Sequence, residues 1–92
     1  MANKKIRSSG IPSPYDPASV FTTYDLGVSA ALLCAGHELL MVERDNPKKA
    51  LFVFRREVGI EEIATKYFAD RLEVKARSFF DHLKALKNKL YS

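Results

Sequence analysis

The chain has 92 residues, of which 47% are hydrophobic and 28% are charged. This balance excludes a disordered chain, and the length limits it to one domain. The net charge is +4, but residues 1–20 carry +2 and residues 71–92 carry +4, against −2 in the residues between them. Basic ends of this kind permit contact with nucleic acid or with an acidic partner.

Cysteine content and hydropathy indicate where in the cell the protein is located. Cys34 is the single cysteine, so the fold does not rely on an internal disulfide. The longest apolar stretch, residues 28–35, is interrupted by Ser29 and is too short to cross a bilayer. No leader-like apolar run follows the first basic residues. We therefore expect a cytoplasmic protein without membrane contact.

Residues 1–20 are predicted to form a basic tail rich in proline and serine. Pro12, Pro14 and Pro17 remove backbone donors and fix the backbone, so neither a helix nor a paired strand fits this segment. Residues 21–92 are then predicted to form a single compact domain.

The first helix of that domain is predicted over residues 24–35. Thr23 is the expected N-cap, and Gly36 is the expected stop because glycine readily adopts the left-handed conformation that ends many helices. The segment is apolar around nearly its whole circumference, which predicts a helix buried on several sides. Small residues such as Gly27 would let other elements approach it closely.

An antiparallel hairpin is predicted next. Its strands are residues 38–44 and 50–56, and the connection at residues 45–49 contains the turn formers Asp45, Asn46 and Pro47. In the second strand Phe52 and Phe54 lie on one face, and the residues between and before them lie on the other. A two-stranded ribbon is unstable alone, so helices must cover at least one face.

Two amphipathic helices are predicted to close the core. The first covers residues 60–69, with Glu61 and Glu62 near the positive end of its dipole. Residues 71–75 alternate between apolar and charged side chains and suggest a third short strand. The second helix covers residues 76–90, with one apolar stripe: Phe79, Leu83, Leu86 and Leu90. The predicted fold class is therefore α+β, with a buried first helix, a hairpin and two C-terminal amphipathic helices.

Few residues in the sequence suggest catalysis. Cys34 and His37 have a spacing that can chelate a metal, but a metal site needs three or four ligands, and the other histidine is His82. Cys34 in an apolar helix should have a raised pKa, which disfavours a nucleophile. Glu61 and Glu62 are adjacent and point about 100° apart around a helix. We expect no enzyme activity, no metal and no cofactor.

Basic and aromatic residues lie close together in the second predicted strand. Cations flank Phe52 and Phe54, an arrangement that several folds use to stack unpaired bases. The same phenylalanines also fit core positions, so both interpretations stay open. The candidate nucleic-acid-binding residues are the cations of the tail, hairpin and last helix: Lys4, Lys5, Arg7, Lys48, Lys49, Arg55, Arg56, Lys84, Lys87 and Lys89.

Several short segments occur together in this chain: residues 21–26, residues 30–32 with Gly36, residues 40–44, residues 52–54, Val74, residues 79–80, residues 86–87 and residues 90–91. Over residues 21–91 they resemble a family of small bacterial and phage proteins catalogued only as a domain of unknown function. The resemblance implies a compact domain without assigned activity, and it carries over no catalytic residues.

Two functions follow as hypotheses. The first is a non-enzymatic accessory protein that contacts nucleic acid through its basic ends, mainly through the backbone phosphates. The alternative is a structural or adaptor subunit of a larger protein assembly, with a protein partner or a second copy of the chain.

Overall fold

The computed structural model describes residues 16–46 and 48–91. Within these ranges it has three strands and three helices, which confirms the α+β class. In chain order they are β1 (Val20–Thr23), α1 (Leu26–Cys34), β2 (Leu39–Asn46), β3 (Lys49–Arg55), α2 (Ile60–Phe68) and α3 (Ala76–Tyr91).

The sheet has the order β1-β3-β2, and both pairings are antiparallel. The predicted hairpin is confirmed as β2 and β3. The third strand, however, is β1 and not residues 71–75, which lie outside the sheet. Val20 pairs with Arg55 and Phe21 pairs with Phe54, so β3 becomes the central strand.

The first strand begins inside the segment predicted as a tail. Residues 17–19 form a turn, and Val20 is buried. Pairing of β1 is continued by the Arg56 N–H, which donates to the Ser19 carbonyl at 3.0 Å. The last proline of this segment is Pro17. Residues 20–23 are β-branched or aromatic, and such residues favour a strand. Residues 1–15 lie outside the described residues.

The cap of the first helix lies two residues beyond the predicted one. Asp25 is the N-cap, and its carboxylate accepts a hydrogen bond from the Val28 N–H at 2.8 Å. Thr23, the predicted cap, ends β1, and its hydroxyl accepts from the Asp25 N–H at 3.0 Å. Gly36 is confirmed as the stop: its φ is 91°, and the His37 N–H closes the turn on the Leu32 carbonyl at 3.0 Å.

Helix α1 lies in the core, as its apolar circumference predicts. Val28, Ala30 and Leu32 are fully buried and belong to one cluster with Phe52 and Phe54. Both phenylalanines are thus core residues, at 1% and 0% exposure. Their burial excludes them as a surface on which bases stack.

Close approach of α2 to α1 depends on a glycine. A Cβ at Gly27 would overlap the phenolic end of Tyr67, so a larger residue there would force Tyr67 to move.

The apolar stripe predicted on α3 faces the core in the structure, which confirms that prediction. Leu86 is buried, and the other members are packed against the core: Phe79, Leu83 and Leu90.

Candidate nucleic-acid interface

A cavity of about 130 Å³ opens where the hairpin tip, the start of α1 and the end of α3 meet. Its cationic lining residues are Arg44, Lys48 and Lys49, and its exposed aromatic ones are Tyr24 and Tyr91. We call these five residues and the space between them the basic cavity. Apolar side chains complete its lining: Leu26, Ala50, Phe52 and Leu90.

The hairpin brings the cations together. Arg44 lies opposite Ala50, and Lys49 lies opposite Asn46, so the side chains on either side of the turn share one end of the sheet. A register shift between Arg44 and Asn46 marks an irregularity at this point of β2.

Arg44 also ties the hairpin to α3. Its guanidinium donates a hydrogen bond to the Leu90 carbonyl, in the last turn of that helix. Carbonyls there lack intrahelical partners, and the negative end of the helix dipole favours a cation. A guanidinium has five N–H donors, so this bond leaves Arg44 with donors for a second acceptor.

Lys49 is positioned by an aromatic ring. Its ammonium lies 4.8 Å from the centre of the Tyr24 ring, within the range of a cation–π contact. Every charged side chain among the described lining residues is a cation. Positive charges gathered in a concave site raise the local concentration of anions. The basic cavity can therefore bind an anionic group.

The basic cavity continues onto the surface of α3. Phe80, Lys84, Lys87 and Tyr91 are spaced four, three and four residues apart, which puts them on one side of the helix. All four are exposed, and we call them the α3 stripe. The Lys84 ammonium lies 5.7 Å from the centre of the Phe80 ring. Since Tyr91 belongs to both features, they form one surface about 16 Å longer than the cavity alone.

The predicted binding residues that the structure describes lie on several different surfaces. The fold brings Lys48 and Lys49 into the basic cavity, and it places Lys84 and Lys87 in the α3 stripe. Lys89 is exposed on a different side of α3, about 160° around the helix from Lys87. The three tail cations lie outside the described residues: Lys4, Lys5 and Arg7.

The two arginines at the end of β3 make contacts within the fold instead. Arg56 Nη1 lies 2.5 Å from a Glu61 oxygen, its Nε donates to the Val20 carbonyl at 3.2 Å, and its guanidinium lies 5.7 Å from the ring centre of Phe21. Arg55 pairs with Glu38 at 2.9 Å, and that hydrogen bond raises the pKa of Arg55. Neither arginine lies beside an exposed phenylalanine of β3, because Phe52 and Phe54 are buried.

Sequence reasoning missed three residues of the basic cavity: Tyr24, Arg44 and Tyr91. Each lies at or near the end of an element, where periodicity carries little information about side-chain direction. The sequence does carry one signal for Arg44: it is a cation near the hairpin turn, and such a cation can bond the free carbonyls at a helix end. Nothing local shows which helix end that will be.

A second feature is apolar and lies at the α2–α3 corner. A groove of about 350 Å³ has Tyr67, Phe68, Leu72, Val74 and Phe79 in its lining, and we call it the apolar groove. Phe68 is 66% exposed and meets Tyr67 edge-on at 5.5 Å between ring centres. The alternation in residues 71–75 that suggested a strand thus supplies Leu72 and Val74 to this groove.

Cys34 is the last residue of α1, and His37 follows it by three residues. Burial raises the pKa of the Cys34 thiol, as its apolar surroundings predict. The buried His37 Nδ1 lies 3.4 Å from a Glu57 carboxylate oxygen. Among residues 16–46 and 48–91, no group of three or more His, Cys, Asp or Glu side chains could hold a metal ion.

None of the described helices reaches the length and hydropathy that a membrane span requires. Neither a curated protein nor a solved structure matches the chain. A family model does match, over residues 18–92, and it therefore includes all six elements of the described fold. The chain belongs to the family described as Domain of unknown function (DUF5659).

Proposed function

We propose that this protein is a non-enzymatic accessory protein that binds nucleic acid through the basic cavity and the α3 stripe. One observation carries the proposal. Three cations from the hairpin converge on a cavity, and Tyr91 joins that cavity to two further lysines on α3. A continuous basic surface with interleaved aromatic rings suits a phosphate backbone with bases beside it.

Phosphate contacts should dominate the affinity. Lys48, Lys49, Lys84 and Lys87 are exposed, and lysine binds phosphate as a point charge. Such contacts fix the position of a strand without reading its sequence. The proposal therefore predicts strong salt dependence and weak sequence preference.

The proposal narrows the set of residues named from the sequence. Arg55 and Arg56 drop out because each pairs with a carboxylate, Glu38 or Glu61, which offsets its charge, whereas the partner of Arg44 is an uncharged carbonyl. Lys89 drops out because it faces away from the α3 stripe. The tail cations stay in the proposal as additional phosphate contacts: Lys4, Lys5 and Arg7. A cytoplasmic location, and the bacterial or phage setting that the resemblance implies, belong to the same proposal.

The alternative function is a structural or adaptor subunit of a protein assembly. The apolar groove favours it, because exposed apolar surface gathered in one place is typical of sites that contact proteins. Phe68 and Val74 are the exposed large apolar residues in its lining. This function needs no nucleic acid, so the binding experiment distinguishes the two.

Replacing Lys48 and Lys49 together by Gln should flatten the salt dependence of oligonucleotide binding. Removing one phosphate neutralisation should reduce the log–log slope by about 0.7 on a single strand and about 0.9 on a duplex. The expected change is thus about 1.4 to 1.8 for the pair. Fluorescence anisotropy of a labelled oligonucleotide, titrated with full-length protein at several salt concentrations, measures it.

A matched control removes two lysines elsewhere. Lys66 lies on α2, and Lys75 precedes α3 by one residue, about 24 Å along the helix from Tyr91. Lys66→Gln with Lys75→Gln lowers the net charge equally but should leave the slope almost unchanged. Equal slopes for both pairs would reduce the binding to net charge and reject the basic cavity. No binding at low salt would leave the assembly subunit as the better account.

A further inference from the structure

The basic cavity has room for a small anionic group. Its volume of about 130 Å³ is slightly below the roughly 150 Å³ that encloses a benzene molecule. A phosphate group has one phosphorus and four oxygens and fits this space. The cavity is partly open to solvent, so charge as well as volume decides which group it holds. Because every charged residue in its described lining is a cation, a phosphate group is the part of a nucleic acid that the cavity favours.

The chemistry of the cavity wall suits one phosphate. Arg44 is held in place by the Leu90 carbonyl, so its planar guanidinium is oriented before any ligand arrives. Guanidinium binds phosphate oxygens through two parallel N–H bonds, which an ammonium cannot do. Lys49, held against Tyr24, supplies a second fixed cation. The bond from Arg44 also offsets the partial negative charge of the Leu90 carbonyl, which would otherwise repel an anion.

Tyr91 offers a surface for the neighbouring base. It lines the cavity, and 80% of its surface is exposed. A base attached to a bound phosphate can stack on such a ring only if the base is unpaired, because duplex bases are already stacked on one another. Beyond it, Lys87 and Lys84 lie on successive turns of α3, so they can follow the phosphates of the same strand.

From size, charge and the exposed ring together, we propose that the basic cavity binds a single phosphate of single-stranded nucleic acid and that the neighbouring base stacks on Tyr91. This inference rests on the proposed function and deepens it. It names the single strand as the preferred partner, and it gives Tyr91 a role that phosphate contacts alone would not require.

The experiment compares a 12-nucleotide single strand with its duplex, using full-length protein at low salt. Tyr91→Ala should weaken single-strand binding by about 5-fold to 150-fold, the range that stacking of one base supplies. Duplex binding should change less than 2-fold. Tyr91→Phe keeps the ring and should retain single-strand affinity within about 2-fold. Phe68→Ala removes a similarly exposed ring outside this surface and should change neither affinity.

Inorganic phosphate tests the phosphate subsite directly. Titrated at constant ionic strength, it should shift the Nε–H signal of Arg44 in the ¹H–¹⁵N spectrum and leave that of Arg55 in place. Equal shifts for both arginines would overturn the subsite. An unchanged single-strand affinity for Tyr91→Ala, or an equal loss on the duplex, would overturn the stacking role while the proposed function stands. No binding of either oligonucleotide would overturn the proposed function as well.

Discussion

Phe54→Ala is expected to lower the free energy of unfolding by about 3–5 kcal/mol. Phe54 is fully buried on the central strand, where it lies opposite Phe21 of β1 and Leu39 of β2. Removal of its ring leaves a cavity between the sheet and the helices, which dense packing cannot refill. Since a domain of this size has a total stability of roughly 5–10 kcal/mol, most of it would be lost. Urea denaturation followed by circular dichroism measures the effect.

Phe80→Ala is the matched control for that experiment. Phe80 is 57% exposed on α3, and surface substitutions of this kind change stability by about 0.5 kcal/mol or less. If Phe54→Ala instead left stability unchanged and weakened binding to single strands, Phe54 would be a stacking surface. Its ring would then not be buried in solution.

Leu86→Ala is expected to lower the free energy of unfolding by about 2–5 kcal/mol. Leu86 is the buried residue of α3 and belongs to the core cluster that α1 and the sheet share. Helix α3 packs against α1, so loss of this side chain weakens the attachment of the whole helix. The Leu90 carbonyl and Tyr91, which the basic cavity requires, belong to that helix. Urea denaturation again gives the magnitude.

Leu83→Ala removes the same chemical group from the preceding turn of α3. Leu83 is only partly buried, so its loss should cost less than that of Leu86. The order of the two losses is therefore the test of how α3 is rotated on the core. A larger loss for Leu83 would mean that the helix presents a different face to α1.

Elements with a clear local pattern could be predicted from the sequence. The turn formers between two apolar runs give the hairpin, and Gly36 ends α1 because left-handed backbone is accessible to it. The apolar residues that recur at helical spacing around Leu86 identify the side of α3 that faces the core. In these cases a few adjacent residues determine the structure, and pairing with distant segments only reinforces it.

Strand β1 and the cap of α1 could not be predicted in the same way. The four residues of β1 follow a proline-rich segment and are too few to show a periodicity. They form a strand because one edge of β3 is available for pairing. Leu72 and Val74 show the converse, since their alternation looks like a strand but no strand of the described part of the chain pairs with it. Thr23 and Asp25 are both good caps, and the end of β1 at Thr23 decides between them.

The basic cavity depends on contacts between distant parts of the chain. Arg44 and Leu90 are 46 residues apart, and Tyr24 comes from a third part of the chain. Composition identifies Lys48 and Lys49 as candidates, yet it cannot distinguish them from Arg55 and Arg56. That distinction comes from the partners that the fold supplies to the two arginines.

The most direct test of the basic surface is a map of backbone ¹H–¹⁵N shifts on addition of a single-stranded oligonucleotide to the full-length protein. We expect the largest shifts at Arg44, Lys49, Lys87 and Tyr91, and shifts near zero at Lys66. They should diminish as salt is raised, because phosphate contacts release counterions. Shifts gathered instead at the apolar groove, or around Arg55 and Arg56, would contradict binding through the basic cavity and the α3 stripe.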